Sequence, residues 1–483
     1  MTNAESSKNN SVVVIGGGIG GLTAGALLAR QGKRVALLEA SDRLGGYQCR
    51  IEKNGFSIEP HFHFLQDVSP GKPVAELLQI LGITLDFVRV DPIAQFIFPD
   101  RTVTFPNDRA AFIATLKSDF PGEVQGITKL FAAMSELYAA IKKLPEPSKP
   151  LMQYGADSIG DFLSRFISDP KLKTIVGAWA AYFGYGTSHI AALAIVTFTE
   201  ACWDGGVFHP RGGITALVAA LRDCIESHGG SVRLSSKVAR INIDQQQVHG
   251  VTLDDGTVFA ADSIISNVDA MTTLRDLAGI ENVGGECIGQ LQKLERFRSP
   301  FCVYLGVNAA GLELSGIAAV QVVYPSYDSD VMDRAQLAGD IEHAPLPFGI
   351  ATRSNPQLAP PGHEILILYT FIPNNAIDAL LDDESRALAY AKRLVKQAER
   401  AIPGLTDRVV LMETSASLTP ALYTTNTKGA LGWVPDAQTL PQMPPHHTPV
   451  KGLYLAGQWT QMGGGMNNVI RSASIAASLA MSS

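Results

Sequence analysis

The sequence predicts an α/β protein of two domains, one built on a central parallel sheet and the other mixed α+β. Three observations predict it. At 483 residues the chain is longer than one simple hydrophobic core accommodates. Residues 11–40, SVVVIGGGIGGLTAGALLARQGKRVALLEA, carry the order strand, glycine turn, helix, strand, acid. Beyond them, helix-like and strand-like stretches alternate without a repeat.

Each element of the opening unit has its own justification. Val12–Ile15 is short, wholly apolar and β-branched, as a central parallel strand should be. Gly16, Gly18 and Gly21 follow in the spacing G-x-G-x-x-G. The first allows a tight turn, the second lets a pyrophosphate reach the backbone, and the third lets the next helix pack against the strand. Leu22–Ala29 is the helix, stopped by Gly32, and Val35–Leu38 is the second strand. Amides exposed at the helix start, Gly20 among them, favour negative charge. Glu39, with Ala40 beside it, can accept both hydroxyls of an adenosine ribose and would repel a 2′-phosphate. The unit is a dinucleotide-binding, Rossmann-like βαβ.

The segment DRLGGY (Asp42–Tyr47) places Arg43, Gly45 and Gly46 directly after the ribose acid. Together with the glycine turn, this resembles the two-domain FAD oxidoreductases, whose flavin half runs far beyond the first loop. Four further segments extend the resemblance over nearly the whole chain: Ile51–Leu65, Gly205–Asp223, the pair Ser231–Ile241 and Ala261–Leu274, and Lys451–Ala477. The sequence resembles the flavin amine oxidase superfamily. Within it, the likeness is to the branch of phytoene desaturases, carotenoid cis–trans isomerases and retinol saturases. The resemblance implies an FAD-binding Rossmann-like fold of the glutathione reductase type 2 class. It implies that Arg43, Gly45 and Gly46 extend the diphosphate and ribityl cradle, with Val238 by the adenine and Asn267 near the loop. Gly457 and Gln458 would face the diphosphate or ribityl chain. Gly463–Gly465 would lead into a helix whose start, Met466, Asn467 and Val469, points at the isoalloxazine. Two departures stand out: Met466-Asn467-Asn468 where relatives carry Val-Pro-Gly, and Glu59-Pro60-His61 where they carry Asp-x-Gly. These put Glu59, His61 and His63 forward as acid/base candidates near the ring.

The resemblance also implies a discontinuous FAD domain of 1–70, 205–285 and 445–483, with 71–204 and 286–444 forming the substrate domain. No second G-x-G-x-x-G follows, so no NAD(P)H domain is expected. The first insert is helix-rich in pattern. The second mixes strands at Phe301–Val307 and Glu364–Ile372 with a helix at Glu384–Arg400. Tyr423–Trp433 resembles a family loop near the active site. Thr174–Thr199 carries no Asp, Glu, Lys or Arg and is long enough to span a bilayer. Two glycines and a histidine within Tyr182–His189 break it, which predicts two buried helices with a turn, as plain core or as the wall of an apolar tunnel.

A net charge of −7 with no dense basic run argues against nucleic acid and against an anionic membrane patch. Five scattered cysteines without CxxC spacing argue against a disulfide framework or a zinc site and suit a reducing cytoplasm. The polar opening residues show no signal-peptide pattern. A small hydrophobic substrate is expected, with peripheral membrane contact open as its route of entry and oxygen or a quinone as the electron acceptor. Desaturation, saturation and cis–trans isomerisation of a polyene all suit such a site. FAD-dependent amine oxidation and non-catalytic, escort-type binding of prenylated proteins remain as rival readings. Covalent attachment of FAD to a histidine is compatible with the sequence but not demanded by it.

Overall fold

A computed structural model describes residues 10–60, 64–144, 146–314, 316–422 and 431–482. A five-stranded parallel sheet runs in the order Ser231–Arg233, Arg34–Leu38, Ser11–Ile15, Ser263–Ser266, Leu453–Leu455. Strands from both ends of the chain thus lie in one layer. Val12, Val13, Val14 and Ile15 are all buried, because helices cover one face and an antiparallel sheet covers the other. On the helical face, Ile19–Arg30 packs between Ile214–Ser227 and the C-terminal helix Met466–Ser482. Small residues permit the close approach. A Cβ on Gly25 would come within 2.9 Å of Ile225, and one on Gly21 within 1.9 Å of the Gly16 carbonyl oxygen. The opposite face carries the antiparallel strands Val238–Asp244, Gln247–Leu253 and Val258–Ala260.

The second layer system is a seven-stranded mixed sheet. Its order is Val409–Thr414, Ser299–Asn308, His363–Ile372, Leu346–Ile350, Val320–Val323, Ala94–Ile97, Thr102–Phe105. The central pair, Ser299–Asn308 and His363–Ile372, is antiparallel in register over its full length. Its residues are almost all buried, so this sheet is covered on both faces. The helix Glu384–Ala398 covers one face, and its apolar side (Ala387, Ala391, Leu394, Val395) recurs at helical spacing. Helices of the first insert, among them Val124–Ile141 and Ala192–Asp204, build a large aromatic core beyond the other face.

The uncharged stretch 174–199 folds as the end of the helix Pro170–Val176, the short helix Trp179–Tyr182, a turn, and the first part of Ala192–Asp204. Trp179, Ile195 and Val196 face the core, whereas Tyr182, Phe183, Leu193, Ala194, Thr197 and Phe198 face a cavity. The stretch is therefore core on one side and tunnel wall on the other. Among the described residues, no helix is long and apolar enough to cross a membrane.

Candidate functional site

One large cavity, about 1680 Å³, runs from the glycine turn at the edge of the parallel sheet to the aromatic core of the second layer system. Pockets for drug-sized ligands are roughly 300–1,000 Å³, so there is room for an extended cofactor and a substrate together.

The first half is a cradle of backbone. Gly16, Gly18, Gly20, Glu39, Ala40, Gly45, Gly46, Val238 and Asn267 all line it. The Gly16 N–H bonds to the Leu38 carbonyl oxygen at 2.8 Å, and the Gly45 N–H bonds to that of Gly17 at 2.9 Å. The two glycine segments are thereby tied side by side. Gly45 has a φ of 105°, which an L side chain rarely adopts. Glu39 is buried; its carboxylate accepts from Gly17 N–H (2.6 Å), Ser41 N–H (2.8 Å) and the Ser41 hydroxyl (2.8 Å). A carboxylate offers about four lone-pair sites, so one is left for a ribose hydroxyl.

Asn267 organises the floor of the cradle. A Cβ on Gly20 would lie 2.2 Å from its Oδ1, one on Gly457 2.4 Å from the same atom, and one on Gly18 3.0 Å from its Nδ2. Three glycines from opposite ends of the chain thus enclose one side-chain amide. Gly457 was expected to face the diphosphate or ribityl chain; it does not line the cavity and instead makes room for Asn267. Gly21 lies behind the turn, against Gly16. Arg43 was also expected in the cradle and is absent from the lining; its guanidinium pairs with the neighbouring Asp42 at 2.9 Å.

At the far end of the cradle, Gln458, Gly463–Gly465, Met466, Asn467 and Val469 line the cavity. Gly463 and Gly465 adopt φ of 71° and 94°, and a Cβ on either would meet nothing within 4 Å. They are glycine for their backbone angles, and the surface they present is bare peptide beside open space. The helix Met466–Ser482 begins there, so its N-terminal amides and dipole favour negative charge at this end of the cavity. Asn467 accepts from the Gln66 N–H (3.1 Å) and donates to Asp67 (3.2 Å), pinning the helix start to the strand Leu65–Gln66. Gln66 in turn donates to the Phe198 carbonyl oxygen (3.1 Å) and to the Cys202 sulfur (3.0 Å).

The acid/base expectation fares differently. Glu59 is buried and does not line the cavity. Its carboxylate is paired with Arg50 at 2.9 Å, over Gly213, where a Cβ would come within 2.1 Å of it. It therefore holds the turn before Ile214–Ser227 and is not placed to exchange a proton with a substrate. His61 and His63 lie outside the described residues, as do residues 423–430 of the Tyr423–Trp433 loop.

The second half of the cavity is an aromatic arm. Phe64, Tyr182 and Phe198 stand near one another, with ring centroids 6.0–6.4 Å apart. Ile367, Tyr369 and Phe371 form the opposite wall, the alternate residues on one face of a single strand. These side chains are uncharged; the same cavity is also lined by Asp67, Lys72, Lys142 and Asp204, of which Lys72 and Lys142 pair with Asp204 at 2.8 and 3.0 Å. Burial pushes the Tyr182 phenol up to about 12, raises Tyr369 well above the usual phenol value, and pushes the Cys302 thiol up to about 12. All three are neutral at ordinary pH.

The residues present fit FAD. The cradle supplies exposed amides, a ribose acceptor, bare peptide for a flat ring and a helix start. Gln48, which lines the cavity beside Gly46, has an Oε1 sealed from solvent and without a hydrogen-bond partner. A buried unpaired amide oxygen is costly, and a ribityl hydroxyl would satisfy it. Gln48, Gln66, Asp67 and Tyr369 were not singled out from the sequence. Only Gln48, two residues past the glycine pair, stood beside a motif that could have flagged it.

Comparison with known proteins gives the same assignment. The family described as flavin containing amine oxidoreductase matches residues 19–481. The chain belongs to that family. It is an FAD-dependent oxidoreductase with the two-domain α/β flavoprotein fold. Phytoene desaturase (lycopene-forming) from Pseudescherichia vulneris is 27% identical, over 97% of this chain and 98% of that protein. Prolycopene isomerase 1 from an Oncidium hybrid cultivar is 25% identical, over 94% of this chain and 80% of that protein. An oxidoreductase from Methanosarcina mazei superposes with a TM-score of 0.68 at 18% identity, covering 96% of this chain and 99% of that one. These relatives place the chain in the desaturase and isomerase branch of the family.

Proposed function

We propose that this flavoprotein acts on carbon–carbon bonds of a long, uncharged isoprenoid or polyene, by desaturation, saturation or cis–trans isomerisation. One observation carries the reading: the cavity of the flavin cradle continues along a wall of uncharged, mostly aromatic side chains, Phe64, Tyr182, Phe198, Ile367, Tyr369 and Phe371. An ionic substrate would be desolvated there without a partner, which is expensive. The names of the desaturase and isomerase relatives agree with it. Bound FAD would supply the two-electron chemistry. The residues of the chain do the rest: Phe64, Tyr182, Phe198 and Phe371 orient a flat conjugated chain and exclude water. The start of Met466–Ser482 favours negative charge at the reacting end.

We further propose that residues 1–70, 205–285 and 445–483 form the FAD domain and 71–204 with 286–444 the substrate domain. The re-oxidant is oxygen or a quinone, and a cytoplasmic enzyme in peripheral contact with a membrane is the setting that suits a lipid-like substrate. Anaerobic titration of the yellow holoenzyme with candidate polyenes tests the reading. Bleaching of the flavin indicates desaturation, and isomer change without bleaching indicates isomerisation. Peroxide release from amines, with no response to any polyene, refutes it in favour of amine oxidation.

A further inference from the structure

The aromatic arm contains one polar feature that a pure hydrocarbon would not use. Tyr182, on the short helix Trp179–Tyr182, and Tyr369, on the strand His363–Ile372, both line the cavity with ring centroids 5.9 Å apart and planes at 82°. A phenol has one O–H to donate, so even two phenols bonded to one another would keep a second donor for another group. Among the described residues, no protein acceptor for that second donor is found. Around the pair stand the side chains of Phe64, Phe183, Phe198, Ile367 and Phe371, which accept no conventional hydrogen bond, and the sulfur of Cys302, opposite Tyr369 in the strand pair, which is only a weak acceptor. A phenylalanine in either position would fill the same space without carrying an unmatched polar group into an apolar chamber.

Resting on the reading of the arm as the substrate site, we propose that Tyr182 and Tyr369 form a recognition point for a neutral oxygen function, so that the substrate is an oxygen-bearing isoprenoid, an alcohol, aldehyde or ketone. Charge at this point is disfavoured because the side chains around the pair, Phe64, Phe183, Phe198, Ile367 and Phe371, supply no ion to pair with it. A carboxylate or an ammonium would be desolvated unpaired, whereas a hydroxyl or carbonyl needs one donor and finds one. The selectivity is the difference between a satisfied and an unsatisfied buried donor. It therefore appears as discrimination between ligands of equal carbon skeleton.

The test compares farnesene and farnesol, a hydrocarbon and an alcohol short enough to slide along the arm, binding to the FAD-loaded enzyme by calorimetric titration. The readout is the ratio of their dissociation constants, wild type against the Tyr182→Phe/Tyr369→Phe variant. The ratio should shift by about tenfold towards the hydrocarbon when both hydroxyls are removed, the size of one hydrogen bond. An unchanged ratio overturns the recognition point while leaving the isoprenoid reading intact. Failure of both ligands to bind overturns that reading and this inference with it. A second measurement needs no variant: the carbonyl stretch of farnesal bound to the wild-type holoenzyme should move to lower frequency than in a hydrocarbon solvent. A stretch at the hydrocarbon value overturns the proposal.

Discussion

Replacement of Gly20 by alanine sets two known effects against each other. Gly20 lies in the first turn of the helix Ile19–Arg30, and its backbone suits any residue. In an open helix the change would be favourable by about 1 kcal/mol. Here the new methyl would sit 2.2 Å from Asn267 Oδ1 and 3.1 Å from Val469 Cγ1. Asn267 is held on its other sides by the backbones of Gly18 and Gly457, so the free direction for its amide is into the cavity it lines. Overpacking of this kind costs about 1–3 kcal/mol, which matches or exceeds the helix gain. The thermal midpoint of the apoprotein should therefore fall only slightly. The displaced amide enters the space claimed by the cofactor, and FAD affinity should fall roughly 10- to 100-fold, equivalent to about 1.4–2.8 kcal/mol. Titration of apoprotein with FAD, followed by quenching of flavin fluorescence, measures it. Adding Asn267→Ala to Gly20→Ala removes the colliding atoms and should recover most of the loss. If the single variant binds FAD within twofold of wild type, or the double variant recovers nothing, the glycine nest around Asn267 is not what shapes the cradle.

Three further outcomes are expected. Glu39→Ala strips the Gly17 amide, the Ser41 amide and the Ser41 hydroxyl of their acceptor; it should lower stability by about 2–4 kcal/mol in denaturant titration and abolish FAD retention on gel filtration. Arg298 is buried and bound to Asp333 (2.5 Å) and to the Gly184 carbonyl oxygen (2.7 Å), the turn that follows Tyr182 and Phe183 in the arm. Arg298→Met should cost about 3–5 kcal/mol by leaving Asp333 unpaired, with much of it regained in Arg298→Met/Asp333→Leu. His446 is buried against Ser472, whose hydroxyl also meets the Gly457 amide, and burial lowers its pKa from 6.5 to about 4. Its unfolded form takes up a proton near pH 6.5 and its folded form does not until about pH 4, so its contribution to stability is complete above 6.5 and is lost as the pH falls towards 4. Thermal midpoints across that window should drop less steeply in His446→Gln than in wild type, and parallel curves would refute this.

What the sequence by itself determined is what local covalent order can specify. The strand Ser11–Ile15, the glycine turn, the helix Ile19–Arg30 and the acid Glu39 occupy consecutive positions, and each requirement is met by the residue type at one place in the chain. The strands Ser299–Asn308 and His363–Ile372 and the helix Glu384–Ala398 were legible for the same reason, since their apolar periodicities are properties of short windows. The uncharged run 174–199 announced burial but not which side of it would meet a ligand, because a tunnel wall and a core have the same composition. Only the tertiary structure decided that Gly457 serves Asn267, that Glu59 is committed to Arg50, and that Arg43 turns away to Asp42. It alone joined Asn467 to Gln66 across the length of the chain and set Tyr182 against Tyr369. Such pairings depend on how sheets and helices fold back upon one another. No residue type or spacing near Asn267, Gln66 or Tyr369 encodes its distant partner, because the contact energy that selects it exists only once the layers have packed.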